Sequence, residues 1–238
     1  MNIILVGYGK MGKAIEEIAV AKGHTITLKV DLDNADELNA ANAAKADVAI
    51  EFTSPHSAFE NVMKCLELGL PVVCGSTGWL EKFDEAKQYC IQQNGTLVYA
   101  SNYSIGVNLF FEINQQLAKL MSKHTDYNVS MEEIHHTQKK DAPSGTAITL
   151  AEQIMASIPT KKHWTNEASK DKEALAIISE RIDPAPGTHK IKYSSAIDDI
   201  EIIHTAHNRK GFAGGAVLAA EYAMQHKGVL GMKEVLGL

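Results

Sequence analysis

Two stretches of this chain combine residue types and spacings that could do chemistry. The first is Gly7-Tyr8-Gly9-Lys10-Met11-Gly12, a G-x-G-x-x-G pattern. Gly7 permits a tight turn, Gly9 lets the backbone approach a pyrophosphate, and Gly12 lets a helix pack closely on a strand. Backbone N–H groups at the helix start, with the positive end of the helix dipole, then hold phosphates. Asp31 stands 19 residues beyond Gly12, close to the spacing of about 20 at which an acidic residue bonds the adenosine ribose. No arginine lies beside Asp31, and Leu32 follows it. An acidic group there repels a 2′-phosphate, so NADH is expected to bind at least as well as NADPH. Lys10 and Lys13 are the cations that could reach that phosphate instead.

The second stretch runs from Glu133-Ile134-His135-His136 through Lys139 and Lys140 to Ser144-Gly145-Thr146. Two histidines end a predicted strand, and Ser144-Gly145-Thr146 opens a predicted helix. A helix N-terminus carrying a glycine and a hydroxyl residue binds anions through N–H groups with no intrahelical partner. His136 and a lysine add positive potential. The pattern predicts a carboxylate- or phosphate-binding pocket beside a titratable pair, with Ser144 alone read as an N-cap.

Two further loops, Gly75-Ser76-Thr77-Gly78 and Ala100-Ser101-Asn102-Tyr103-Ser104, follow predicted strands. Their small hydroxyl and amide residues can flank a nicotinamide, although ordinary turn chemistry explains either loop alone. No metal is expected. There is no His-Glu-x-x-His, and the adjacent His135 and His136 point to opposite faces of a regular strand. His204-x-x-His207 adds imidazoles without completing a ligand set.

These residues need elements to hold them. Asn2–Val6, Thr25–Val30, Val48–Phe52, Pro71–Cys74 and Thr96–Ala100 read as strands by length and apolar content. Met11–Ala21, His56–Leu68 and Glu81–Gln93 read as helices between them. Such alternation implies right-handed crossovers and a parallel sheet. After Asn102 the rhythm changes. Val107–Met121 and Thr146–Ile158 read as helices, and Asn128–His135, Lys190–Ser194 and Ile200–Thr205 as strands, with polar and Pro/Gly-rich stretches between. Ala213–Met224 is a small-residue helix that returns to the first domain. The expected fold is therefore α/β: a Rossmann-type parallel sheet domain (1–104 with 212–238) plus an inserted α+β domain with a mixed sheet (105–211). A site shared by two domains requires closure, with crossings near Tyr103–Ile105 and Lys210–Gly214 as hinges.

Composition excludes several classes. The chain has 238 residues, 45% of them hydrophobic, which is enough for a sizeable core. A net charge of −6 argues against nucleic acid as a partner. No apolar run approaches the roughly 18–20 residues that span a bilayer, so no membrane partner is expected. The N-terminus does not read as a secretory signal. Cys65, Cys74 and Cys90, without a Cys-x-x-Cys, fit reduced, buried thiols in a cytoplasmic protein.

With these residues in view, the sequence resembles the dihydrodipicolinate reductases, also called 4-hydroxy-tetrahydrodipicolinate reductases, of bacterial lysine and diaminopimelate synthesis. The likeness runs through the opening glycines, Glu51-Phe52-Thr53-Ser54-Pro55, Gly75–Gly78, Asn102–Asn108, the His135–Thr146 segment and Met232–Leu238. It implies reduction of a cyclic imine dicarboxylate with NADH or NADPH, and a homotetramer built through the inserted domain. By motif it implies His135 as the acid/base residue and Lys139 as the proton donor, with His136, Gly145 and Thr146 binding substrate. Gly7, Tyr8, Gly9, Lys10, Met11, Gly12, Asp31, Gly75, Ser76, Thr77, Ala100, Ser101, Asn102 and Tyr103 would line the cofactor. Gln138 stands where the family often has a further histidine, and Gly187-Thr188-His189 where it usually has Gly-Glu-His. Two other readings stay open at this point: another Rossmann dehydrogenase acting on an amino acid, such as aspartate dehydrogenase, and a non-catalytic nicotinamide-sensing regulator.

Overall fold

A computed structural model describes residues 1–208 and 210–238. The first six-stranded sheet grows from β1 (Asn2–Val6), β2 (Thr25–Val30), β3 (Val48–Glu51), β4 (Val72–Cys74) and β5 (Thr96–Tyr99). Helices α1 (Lys10–Ala21), α2 (Ala40–Ala43), α3 (Ala58–Glu67) and α4 (Phe83–Gln92) lie between them. The expected helix over 81–93 divides into a 3-10 turn, Leu80–Lys82, followed by α4. Next come α5 (Ile105–Met121), β6 (Asn128–His135), α6 (Gly145–Ser157), β7 (His163–Thr165), β8 (Ala174–Arg181), β9 (Thr188–Ser194) and β10 (Asp199–Thr205). The chain ends with α7 (Lys210–Ala223), β11 (Gly228–Leu230) and α8 (Met232–Leu236).

The chain divides into two compact units: Met1–Asn108 with Lys210–Leu238, and Leu109–Arg209. In the first, the strand order is β11-β5-β4-β3-β1-β2 with every pairing parallel. The order reverses at β1: β2 lies on one side and β3 on the other. Strands buried on both faces must be apolar at successive positions. Ile3 and Leu5 accordingly face one core, while Ile4 and Val6 face the other. Each such side chain contributes roughly 1.5–3 kcal/mol on burial. The returning tail supplies α7 to one face and β11 to the sheet edge. Alanines 213, 216, 219, 220 and 223 let α7 sit close. At Gly215 a Cβ would lie 1.7 Å from the Tyr103 carbonyl oxygen, so close packing of α7 requires glycine there.

The second unit holds a five-stranded mixed sheet ordered β10-β9-β6-β8-β7. The β6 strand runs antiparallel to β9 and parallel to β8. It alternates strictly: Val129, Met131, Glu133 and His135 are buried, while the residues between them are half-buried. Val129 and Met131 enter a core completed by Leu150, Ala151 and Ile154 of α6. The same face therefore carries Glu133 and His135 onward from the core to the end of the strand.

Candidate active site

In the first unit, a groove of about 430 Å³ opens at the carboxyl ends of β1, β3 and β4. The crevice where strand order reverses is the standard dinucleotide position in such sheets. Gly9, Lys10, Met11, Gly75, Ser76 and Thr77 line it, as the sequence suggests. Phe52, Thr53, Ser54 and Pro55 line it too, and the sequence reading did not name them as site residues. Their signal was a strand ending in Thr-Ser-Pro.

The three glycines divide their labour. Gly7 has φ +95°, and a Cβ there would meet the Phe52 carbonyl oxygen at 2.1 Å. At Gly12 a Cβ would sit 2.3 Å from the Gly7 oxygen. Gly9 has nothing within 4 Å of where its Cβ would stand. Two glycines shape the turn, and the third leaves open space before the helix. Gly9 is also the N-cap of α1 and provides no side-chain acceptor, so no capping side chain covers the first-turn N–H groups. A nicotinamide dinucleotide's pyrophosphate fits this arrangement.

Asp31 follows the last residue of β2 and is exposed; its carboxylate accepts the Leu32 N–H at 2.9 Å. Tyr8 hydrogen bonds to the Glu16 carboxylate and accepts from Lys29 Nζ at 3.1 Å. Lys29 is in turn paired with Glu16 at 2.7 Å, so its charge is already balanced. Ser76 is buried. Its hydroxyl accepts the Thr53 N–H and donates to the fully buried Glu51 carboxylate, which fixes two groove loops to one another. Tyr103 departs from the expectation. It is 2% exposed, and its hydroxyl donates to the Cys74 and Val98 carbonyls. That side chain is a strut between β4 and β5, outside the groove lining. Ala100 and Asn102 are half-buried and Ser101 exposed, outside the groove lining.

In the second unit, the site forms where β6 and β8 end and β9 begins. Register places His189 opposite Glu133 and Arg181 beside His135. Glu133 is fully buried, and both of its oxygens accept the Ser144 N–H at 3.1 Å. Arg181 Nη2 donates to Glu133 Oε1 at 3.1 Å and to the Asp141 carbonyl at 2.6 Å. Burial alone would raise the Glu133 carboxyl. Hydrogen bonds from Ser144, Ser179 and Arg181 outweigh it and hold the group below the ordinary range. Glu133 is therefore a buried carboxylate at neutral pH.

His135 Nδ1 lies 3.5 Å from Glu133 Oε2. Burial lowers the His135 pKa, while Glu133 opposes that shift. His189 Nε2 is 3.2 Å from Ser144 Oγ and 3.8 Å from Glu133 Oε2; its ring meets His135 edge-on at 5.2 Å. Burial, with His135 beside it, pushes His189 down to about 4. Gly187 comes so close to His135 that a Cβ would lie 3.1 Å from Nε2. Lys139 Nζ is held by both Asp141 oxygens at 2.9 and 2.8 Å. Ser144 caps α6 by accepting the Ala147 N–H at 3.2 Å, leaving Gly145 exposed and Thr146 half-buried at the helix start.

The structure thus gathers His135, Lys139, Gly145 and Thr146 around one strand end. His136 follows the last residue of β6 and is half-buried. Glu133, Arg181 and His189 belong to this cluster, and the sequence reading did not nominate them as site residues. Glu133 was legible as the residue two before His135 on an alternating strand. Arg181 and His189 were not, because their placement depends on strand register.

Residues 1–103 match the family described as dihydrodipicolinate reductase, N-terminus, and residues 106–236 match dihydrodipicolinate reductase, C-terminus. The 4-hydroxy-tetrahydrodipicolinate reductase of Christiangramia forsetii is 48% identical over 236 residues, covering 99% of this chain and 98% of that protein. The enzyme of the same name from Methanosarcina acetivorans is 35% identical, covering 97% and 87%. A solved structure of dipicolinate-bound dihydrodipicolinate reductase from Paenisporosarcina sp. TG-14 shares the fold with a TM-score of 0.78, at 23% identity and 97% coverage of each chain. The fold and these relatives define an NAD(P)H-dependent oxidoreductase with a Rossmann-type domain. The chain belongs to the dihydrodipicolinate reductase family. The amino-acid dehydrogenase and regulator readings give way to that membership.

Proposed function

We propose that this chain reduces 4-hydroxy-tetrahydrodipicolinate to tetrahydrodipicolinate in lysine and diaminopimelate synthesis, with the His135–Thr146 segment as its substrate site. The observation that carries the residue assignment is the junction of β6 and α6: a buried His135–Glu133 pair beside an α6 N-terminus and a lysine. Reduction of a conjugated imine adds a hydride and a proton, and the 4-hydroxyl leaves as water. A reduced nicotinamide dinucleotide would be held by Gly9, Lys10 and Met11 at its pyrophosphate and by the Gly75–Thr77 loop, and would supply the hydride.

The chain's own groups do the rest. The Gly145 and Thr146 N–H groups take one substrate carboxylate, with the α6 dipole behind them. Lys139 exchanges its bond to Asp141 for the substrate, as anchor or proton donor. Glu133 orients the His135 ring and partly offsets the lowering that burial imposes on it, and His135 is the group placed to pass a proton to the ring as charge develops there. His136 adds positive potential from the neighbouring position.

Calorimetric titration with dipicolinate, the ligand named for the Paenisporosarcina relative, tests the site. Binding should weaken at least tenfold in Lys139→Ala and in Thr146→Pro, which removes an N–H. Unchanged affinity in both would contradict the assignment.

We assign the cofactor preference to NADH at least equally with NADPH, supported by Asp31 at the end of β2 and by the Glu16–Lys29 pairing. A homotetramer is supported by the exposed edge of β10. Ile200 and Ile203 on it are 38% and 56% exposed, and Ile113 and Leu120 of α5 line an apolar hollow with Ile200 and Ile202. An uncovered apolar edge strand invites pairing with another chain. Free, buried Cys65, Cys74 and Cys90 support a reducing, cytoplasmic setting. Among the described residues, no helix is long and apolar enough to cross a membrane.

A further inference from the structure

We infer that Glu133, His135 and His189 together bind a divalent cation of the zinc class, and that the bound ion silences the reductase by occupying His135. The spacing of histidines along the chain gives no such set, since His135 and His136 diverge. Folding makes one from a different trio: two residues on one face of β6 and the residue that β9 places opposite them. One ligand atom from each lies within 4.8 Å of the other two. His135 Nδ1 and His189 Nε2 stand 3.5 and 3.8 Å from Glu133 Oε2. Four-coordinate zinc with bonds of about 2.0–2.2 Å holds adjacent ligand atoms roughly 3.3 Å apart. Shifts of a few tenths of an ångström bring each histidine into ligand spacing with the carboxylate, and the two imidazoles, no more than 4.8 Å apart, close by up to about 1.5 Å.

Three further features fit. His135 Nδ1 is buried with no hydrogen bond closer than its 3.5 Å approach to Glu133, so a cation that displaces its proton breaks no hydrogen bond. The Ser144 N–H and Arg181 orient the Glu133 carboxylate from behind, as outer-shell partners do for ligating carboxylates. Ser144 Oγ, 3.2 Å from His189 Nε2, stands where a fourth ligand or a bridging water belongs. Two imidazoles and one carboxylate suit zinc, copper or nickel and not magnesium or calcium. Arg181 lies 3.1 Å from the same carboxylate and repels a dication. The site therefore suits a reversible inhibitory ion and not a resident one. Inhibition rests on the proton-donating reading of His135; binding does not, so the two are read separately.

Cobalt(II) titration of the intact protein near pH 7.5 provides the test. One ion per chain should give the strong visible absorption of four-coordinate cobalt. Zinc should bleach it, and magnesium should leave it unchanged. His189→Ala and Glu133→Gln should each weaken binding at least tenfold. His207→Ala, which removes an exposed imidazole outside the cluster, should not. Zinc should also shift the ring signals of His135 and His189 in the proton spectrum of the unaltered protein, a readout that needs no variant to fold. Absence of the absorption, its loss in His207→Ala alone, or unshifted ring signals would overturn the site. Stoichiometric binding with undiminished turnover would overturn the inhibition.

Discussion

Lys139 enters the reaction from a bond it must give up. Both oxygens of Asp141 hold its ammonium, and Asp141 is lowered first by that hydrogen bond. A pair this exposed is worth little in stability, so a substrate carboxylate can displace Asp141. If Lys139 also donates the proton, Lys139→Ala lowers kcat by roughly 10²-fold or more. A rise in KM with kcat intact would make Lys139 an anchor only. His135→Ala should lower kcat in either case. At this scale the sequence was informative about identity but not about partners. His135, Lys139 and Thr146 stood out by type and spacing. The bonds that tune them come from Glu133, Arg181 and His189, and two of those three are brought in by strands far along the chain.

The glycine turn and the strand ends carry the cofactor argument at the scale of elements. Gly7→Ala meets the Phe52 oxygen at 2.1 Å from a backbone with φ +95° and should cost the fold several degrees in Tm. Gly9→Ala meets nothing, so Tm should hold while KM for the cofactor rises at least tenfold. Equal loss of stability in both variants would remove the distinction. Asp31 gives a second check. Steady-state constants should show NADH used at least as well as NADPH, and a strong NADPH preference would place Lys10 or Lys13 on the 2′-phosphate.

Strands with a clean pattern, β1, β2 and β6, were legible to within a residue, because alternation or a short apolar run ended at glycine or a polar residue. β8 carries no strand signal in the sequence. Its residues, Ala174–Arg181, mix burial without alternation and follow a charged stretch. β7 and β11 have three residues each, too short for a periodic signal. The burial of Tyr103 was not legible either, because its loop position gives no sign that its ring turns into the core.

For the whole molecule, acid stability and assembly follow from the same sheet. His189 is held at about 4, against an ordinary 6.5. Between those values the unfolded chain binds more protons than the folded one, so stability rises with pH and is lost as pH falls from about 6.5 toward 4. Burial shifts His135 and His204 the same way. Glu133, lowered in the fold, adds a further loss as acid protonates it. With a chelator present, Tm should fall across that range, and His189→Gln should flatten the slope. Parallel profiles would show that His189 does not carry the dependence.

Assembly has its own check. Ile203→Lys on the exposed β10 edge should lower the mass measured by light scattering below that of a tetramer. A tetramer that persists would move the interface elsewhere.

The most direct measurement is nicotinamide oxidation with the freshly generated product of dihydrodipicolinate synthase as substrate. The account predicts oxidation of NADH or NADPH that depends on that product and is lost by roughly 10²-fold in His135→Ala. No product-dependent oxidation with either cofactor, or full turnover in His135→Ala, would contradict it.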